Sequence, residues 1–151
     1  MCIRDSYGKE DHTGCQKLLR YALTTVCIFA PALFLLVFFF APQIVRTYLS
    51  HAGDELIAYS IGAFRRYSVS YLLLGFNIVI GGFMTALERP VPAISISVGR
   101  GLVLQSAVLL TLAAAFGGEA IWYTPVLSEA MCLVMSLLFL RSYRRQTDMQ
   151  A

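Results

Sequence analysis

One acidic side chain, Glu129, lies inside a long apolar stretch near the end of the chain. It follows Ile121 by about 12 Å if the stretch is helical, at about 1.5 Å per residue. If the stretch crosses a membrane, Glu129 is near the middle of the bilayer, where a charge costs roughly 2.5–3.5 kcal/mol and usually faces a cavity or a partner. Two interpretations follow: a carboxylate linked to a proton or a ligand, or a structural carboxylate that is protonated or paired with a neighbouring helix.

Three other polar side chains could line the same cavity. Asn77 and Gln105 are each surrounded by apolar residues, and Tyr71 lies near the start of an apolar stretch. Amides inside a membrane more commonly form hydrogen bonds between helices, and a tyrosine at this position more commonly anchors the helix at the interface. Alongside these commoner roles, Glu129, Asn77, Gln105 and Tyr71 are the candidate pathway for a substrate or ion.

The sequence shows no signature of a soluble enzyme or of a metal site. The two histidines, His12 and His51, lie outside the apolar stretches, and no HExxH, GxSxG, phosphate-binding or dinucleotide-binding motif occurs. The four cysteines form no CxxC pair, so free thiols are expected instead of a disulfide framework. The sequence predicts no catalytic residue, no metal ligand and no enzyme activity.

Four long stretches must position these side chains. Residues 21–45, 67–87 and 101–118 contain no charged side chain, and residues 120–140 contain only Glu129. A helix of about 20 apolar residues crosses about 30 Å of hydrocarbon. Charged residues make up 14% of the chain, against about 25% in soluble domains, so too little polar sequence remains to cover four such helices in water. The sequence predicts an all-α integral membrane protein with four transmembrane helices.

Turn-forming residues between the stretches give the predicted boundaries. Gly53 and Asp54 mark the first turn, Pro90 and Pro92 the second, and Gly117 the third, because these residue types end helices or open new ones. We expect helices over residues 17–48, 57–87, 93–116 and 121–141.

The domain organisation follows from the same boundaries. Residues 1–6 look like translated adapter sequence and are expected to be a non-native leader. Residues 7–20 are predicted to form a cytoplasmic loop, residues 21–141 the four-helix membrane region, and residues 142–151 a cytoplasmic tail that is disordered after Arg145.

Basic residues are distributed unequally between the two ends of this bundle. The amino-terminal stretch, the second loop and the carboxy-terminal tail share one side, which holds nine of the 12 Lys and Arg residues, Arg100 among them. The positive-inside rule puts this side in the cytoplasm. We therefore expect a multi-pass protein of the plasma or inner membrane with both ends cytoplasmic, and no base well inside a span. Short basic clusters are common at such a face, so no nucleic-acid partner is expected.

The order of short motifs from residue 7 to residue 145 resembles the carboxy-terminal part of the multidrug and toxic compound extrusion (MATE) transporters. Tyr-Gly-Lys-Glu-Asp at 7–11, with Lys-Leu-Leu-Arg at 17–20, resembles the loop before the ninth helix of the family, and Asp-Glu at 54–55 with Ala-Tyr at 58–59 resembles the turn that opens the tenth. Ala-Leu-Glu-Arg-Pro at 86–90, with residues 95–100, resembles the turn into the eleventh. Phe-Gly-Gly-Glu-Ala-Ile-Trp at 116–122, with Pro125 and Glu129, resembles the entry to the twelfth.

This resemblance implies the last four helices of a twelve-helix bundle with two lobes. It further implies a secondary active antiporter that exports organic, often cationic compounds in exchange for sodium ions or protons by alternating access. No cofactor other than the coupling ion is implied. The implied partners are the lipid bilayer, small organic substrates and the missing amino-terminal lobe of the same chain, with about eight further helices encoded upstream.

One departure and two alternatives accompany this resemblance. Many sodium-coupled members carry an acid inside the tenth helix, but residues 67–87 contain none and Leu74 stands where the acid would be expected. The coupling carboxylates are then expected in the amino-terminal lobe. One alternative is a lipid-linked oligosaccharide flippase of the same superfamily, a group that often carries several bases in its central cavity. The other is a non-transporting membrane subunit, which would require these four helices to fold and insert alone.

Overall fold

The computed structural model describes residues 12–148. Six α-helices follow one another: α1 (His12–Tyr48), α2 (Asp54–Ser68), α3 (Tyr71–Ala86), α4 (Pro90–Val98), α5 (Gln105–Phe116) and α6 (Thr124–Asp148). A π-helical segment, Gly99–Leu104, joins α4 to α5, and a 3₁₀ segment, Gly118–Tyr123, precedes α6. No strand occurs between residues 12 and 148.

These elements form four units that are long and apolar enough to cross a membrane, Gly14–Tyr48, Asp54–Ala86, Pro90–Phe116 and Gly118–Arg145. Between 6% and 33% of the residues in their most apolar windows are buried inside the protein. Phe29, Phe39 and Leu110 are each about two-thirds exposed or more. Such apolar surface would be unfavourable in water at about 25 cal/mol per Å² but is compatible with lipid. The predicted all-α bundle of four transmembrane helices is confirmed.

The third helix, α3, is the centre of the bundle. It packs against α1, α4 and α6. Ile80 and Met84 of α3 are fully buried in the core, which also contains Leu19 of α1, Ile96 of α4 and Cys132 of α6. Gly75 lets α1 approach closely, since a Cβ there would lie 2.8 Å from Cγ1 of Val26. Small residues serve this purpose where lipid removes the usual hydrophobic drive between helices.

The second membrane unit is broken near its middle, where a single helix over residues 57–87 was expected. The Ser68 hydroxyl donates to the carbonyl of Arg65 at 2.7 Å, and the Ser70 hydroxyl donates to that of Tyr67 at 2.8 Å. The Ser70 N–H also bonds to the Tyr67 carbonyl at 3.0 Å. Serine hydroxyls compete with the backbone for its carbonyls, and the three-residue bonds tighten the chain locally. The result is two helices, α2 and α3, joined at residues 69–70.

The predicted turns lie where the sequence places them. Gly117 ends α5 with a φ of 79°, and Glu88 follows α3 with a φ of 55°. Arg89 precedes Pro90 with φ −100° and ψ 85°, which is outside the helical region that proline disfavours for its predecessor.

Both ends of the bundle are more helical than predicted. α1 begins at His12, ahead of the expected Lys17, and α6 continues to Asp148, so the tail predicted from residue 142 is helical as far as it is described. Tyr143 explains the extension, because its side chain is buried and its ring packs edge-on against Phe83, with 5.7 Å between ring centres. The leader at residues 1–6 and the motif at residues 7–11 lie outside the described residues.

The cysteines that can be placed are free thiols, as expected. Cys15 and Cys132 are buried and Cys27 is exposed. Cys2 lies outside residues 12–148.

Candidate functional site

The π-helical segment brings a charge of the third membrane unit next to the fourth. Gly99 starts the segment, and a Cβ there would lie 3.0 Å from the terminal carbon of Met135 in α6. At this close approach the next residue, Arg100, forms an ion pair with Glu129, with 3.6 Å between Nη1 and Oε1. Wide π turns are rare and occur frequently at functional sites.

Asn77 joins the ion pair to α3. Its side-chain nitrogen donates to Oε2 of Glu129 at 2.7 Å and to the backbone carbonyl of Glu129 at 3.0 Å. Its side-chain oxygen accepts a bond from the Ser136 hydroxyl at 3.2 Å. Asn77 and Ser136 are buried, as is Glu129 at 8% exposure. Each Glu129 carboxylate oxygen therefore has its own partner, and these partners come from two different helical units.

Gln105 lies beside this group without touching the carboxylate. It is the first residue of α5, and its side-chain oxygen accepts a short bond of 2.6 Å from the Ser128 hydroxyl. Ser128 precedes Glu129 on α6, and its hydroxyl is also 3.1 Å from the carbonyl of Pro125. Gln105 thus ties the end of the π segment to the same turn of α6 that carries the acid. Arg100, Glu129, Asn77, Ser136, Gln105 and Ser128 are called the mid-membrane network below.

Tyr71 is not part of the mid-membrane network. It is the first residue of α3, about 9 Å along the helix from Asn77 at about 1.5 Å per residue. Its ring packs edge-on against Tyr67, with 5.8 Å between centres. Within residues 12–148 it forms no hydrogen bond to the network. The contacts bring three of the four candidates into one region, and the pathway role of all four stays a prediction.

Arg100 corrects the expectation that no base lies well inside a span. Its helix begins at Pro90, so Arg100 is about 15 Å from that end at about 1.5 Å per residue. The helix predicted over residues 93–116 already contains Arg100, and the expectation failed because the charge count groups this residue with the bases of the second loop. A lone arginine at this depth would be costly, and Glu129 offsets that cost. A useful signal was available: an acid in one span indicates a base in its neighbour.

A second arginine contact satisfies a carbonyl that a proline leaves free. Pro42 has no N–H, so the carbonyl of Phe38, four residues earlier in α1, loses its helical partner. Arg65 donates to that carbonyl from Nε at 3.3 Å, and its Cζ lies 4.9 Å from the centre of the Phe38 ring. This contact could not be predicted from the sequence, because nothing in it shows which base faces the proline.

The next residue forms an exposed ion pair towards the end of the bundle opposite the two termini. Arg66 Nη1 lies 3.2 Å from Oε2 of Glu119, in the 3₁₀ segment. Nearby, Trp122 donates from its indole nitrogen to the Tyr59 hydroxyl at 2.7 Å. These contacts join α2 to the connection between the third and fourth units.

Four membrane-length helical units, three of which are joined by a buried polar network, define a multi-pass membrane protein. The MatE family model matches residues 3–111 of this chain, well over half of it. The chain therefore belongs to the MatE family, the multidrug and toxic compound extrusion transporters that its motifs resemble. The match includes Asn77, Arg100 and Gln105 and ends before α6, which carries Glu129. No curated protein and no solved structure matches the chain significantly.

Proposed function

We propose that this chain is part of a secondary active antiporter that exports organic, often cationic compounds in exchange for sodium ions or protons by alternating access. Family membership supports transport, and the buried pair of Arg100 and Glu129 is the observation that carries the finer proposal. Ionisable residues inside membrane helices are rare and mark substrate or ion pathways. The amino-terminal lobe of the same protein would supply the other half of the cavity.

The two partners of Glu129 give this proposal a mechanism. Oε1 faces Arg100 at 3.6 Å and Oε2 accepts from Asn77 at 2.7 Å. A proton, a sodium ion or an organic cation that reaches Glu129 competes with Arg100 for Oε1, the carboxylate oxygen with the longer contact. The hydrogen bonds of Asn77 keep α3 attached to α6 while the π segment is released.

Arg100 can separate from Glu129 because its side chain is the more exposed member of the pair. Its side chain is 32% exposed, whereas that of Glu129 is 11% exposed. Arg100 can therefore turn towards water or headgroups when a cation replaces it, and long arginine side chains reach the interface in this way. Occupancy of Glu129 would thus bias the position of the third unit against the fourth, as alternating access requires.

The position of Arg100 inside the third membrane unit bears on the flippase alternative. A cavity that attracts an anionic lipid-linked sugar needs bases whose charge is available. Arg100 is paired with Glu129, so this pair carries no net charge. The geometry favours an exporter of cationic or neutral compounds.

The experiment compares two acids in the complete transporter. Cells that lack their own exporters would be loaded with a fluorescent organic cation, and accumulation would be measured across pH and sodium concentration. Glu129→Gln should alter the pH or sodium dependence of export, whereas Glu119→Gln, which removes the acid of the exposed pair, should leave it unchanged. Accumulation equal to that of a vector control for several dyes would count against drug export. An unchanged profile in Glu129→Gln would leave this acid with a structural role.

We also propose that both ends of the chain face the cytoplasm from a plasma or inner membrane. Lys17 of α1 and Arg144 of α6 line one groove, so the two ends share a face, and most of the basic residues lie there. A reporter that is active only in the cytoplasm, fused after residue 151, tests this. An inactive reporter on a stably inserted protein would reverse the assignment.

A further inference from the structure

A groove with three basic side chains opens between the start of α1 and the end of α6. It has a volume of about 420 Å³. The two helices both pack against α3. Its lining is Gln16, Lys17, Arg20, Leu23, Thr24, Cys27 and Arg144.

The three bases have no acidic partner in the part of the chain that the structure describes. The ion pairs there at or below 4.0 Å involve other arginines, such as Arg66 and Arg100. Lys17, Arg20 and Arg144 are also exposed. Three like charges around one groove repel one another, and an anion between them would offset this repulsion.

The position of the groove along α1 fits a membrane surface. Arg20 directly precedes the charge-free residues 21–45, which extend about 37 Å as a helix and so cross about 30 Å of hydrocarbon. Arg20 therefore lies at the level of the lipid phosphates, with Lys17 about one turn further out. Leu23 and Cys27 lie on the same side of α1, one and two turns deeper, next to the hydrocarbon.

We propose that this groove binds an anionic phospholipid. The phosphate lies among Lys17, Arg20 and Arg144, and an acyl chain lies along Leu23 and Cys27. A free anion would use only the charged mouth, whereas the groove continues from charged to apolar walls in the direction that a lipid runs. Basic pockets between membrane helices bind anionic headgroups in this way. This site is separate from the mid-membrane network, and its test does not depend on transport.

The test measures lipid binding to the delipidated protein in detergent by native mass spectrometry. Phosphatidylglycerol should bind more tightly than phosphatidylcholine. Arg20→Gln/Arg144→Gln should weaken phosphatidylglycerol binding about thirtyfold, the factor expected for two basic side chains at an anionic headgroup. Arg141→Gln/Arg145→Gln is the matched control: it removes the same charge from the same face outside the groove and should leave binding nearly unchanged.

Two further arms decide between this site and simpler explanations. Arg20→Lys/Arg144→Lys keeps the charge and should retain most of the binding, which separates loss of the site from loss of the fold. Equal losses in the groove and control variants would reduce the effect to general surface charge and overturn the proposal. Inorganic phosphate that binds as tightly as phosphatidylglycerol, with the same dependence on the groove residues, would also overturn it in favour of a free anion.

Discussion

The molecule contains two arginine–glutamate pairs in different surroundings. Arg66 and Glu119 are 3.2 Å apart, with side chains 39% and 68% exposed. Arg100 and Glu129 are 3.6 Å apart, with side chains 32% and 11% exposed. The closer pair is thus the more exposed one. Distance alone would rank the Arg66–Glu119 pair as the stronger. Because water and salt screen an exposed pair, we expect the more buried pair, Arg100 and Glu129, to contribute more to stability.

The neighbours of each pair strengthen this contrast. Glu129 also accepts a bond from Asn77, which itself bonds to Ser136. Removing one member of the inner pair therefore leaves a buried charge and disturbs a connected set of hydrogen bonds. Glu119 lies on a short 3₁₀ segment and can return to water. We expect the inner pair to govern stability and the outer pair to contribute little.

The largest effect is expected from Arg100→Leu. It leaves Glu129 buried without its cation and should lower the free energy of unfolding by about 3 kcal/mol. Circular dichroism during unfolding of the purified protein in mixed detergent micelles would measure it. The double variant Arg100→Leu/Glu129→Leu removes both charges and should recover most of the loss. A double variant less stable than Arg100→Leu would contradict this account of the inner pair.

A smaller effect is expected from Asn77→Leu. This variant loses all three hydrogen bonds of the Asn77 amide. It should cost at least about 2 kcal/mol by the same measurement, because a bond to a charged group such as the Glu129 carboxylate alone contributes about 1.5–3 kcal/mol. Ser136→Ala is the matched control: it removes only the neutral bond to Asn77 and should cost about 1 kcal/mol. Equal losses in the two variants would show that the two bonds from Asn77 to Glu129 add no stability beyond the bond between Asn77 and Ser136.

A smaller effect again is expected from Gln105→Leu. The lost bond to Ser128 joins two neutral groups, so the expected cost is about 1 kcal/mol. If this bond is the only interaction between the two residues, Ser128→Ala added to Gln105→Leu should cost little more. A fully additive loss would show that Gln105 stabilises the bundle through contacts other than its bond with Ser128.

The sequence predicted the spans and singled out polar residues inside them, for reasons that can be named. Apolar length and the absence of charge suffice for the spans, and a polar residue in such a stretch is visible at once, as for Glu129 and Asn77. Arg100 was missed because the charge count groups it with the second loop, although the predicted helix over residues 93–116 contains it and the observed helix begins three residues earlier, at Pro90. The contact between Arg65 and the Phe38 carbonyl could not be predicted, because it depends on how α1 and α2 face each other.

The smallest effect is expected at the outer pair, and it completes the comparison. Arg66→Gln or Glu119→Gln should change the free energy of unfolding by no more than about 0.5 kcal/mol, the range of exposed pairs. Fluorescence of Trp122, the single tryptophan, would report on this end of the bundle. Raising the salt concentration should abolish even this difference, while the loss in Arg100→Leu should persist because buried pairs are screened much less. A salt-resistant loss at Arg66 as large as that at Arg100 would show that the surroundings of the two pairs are equivalent, against the exposure that separates them.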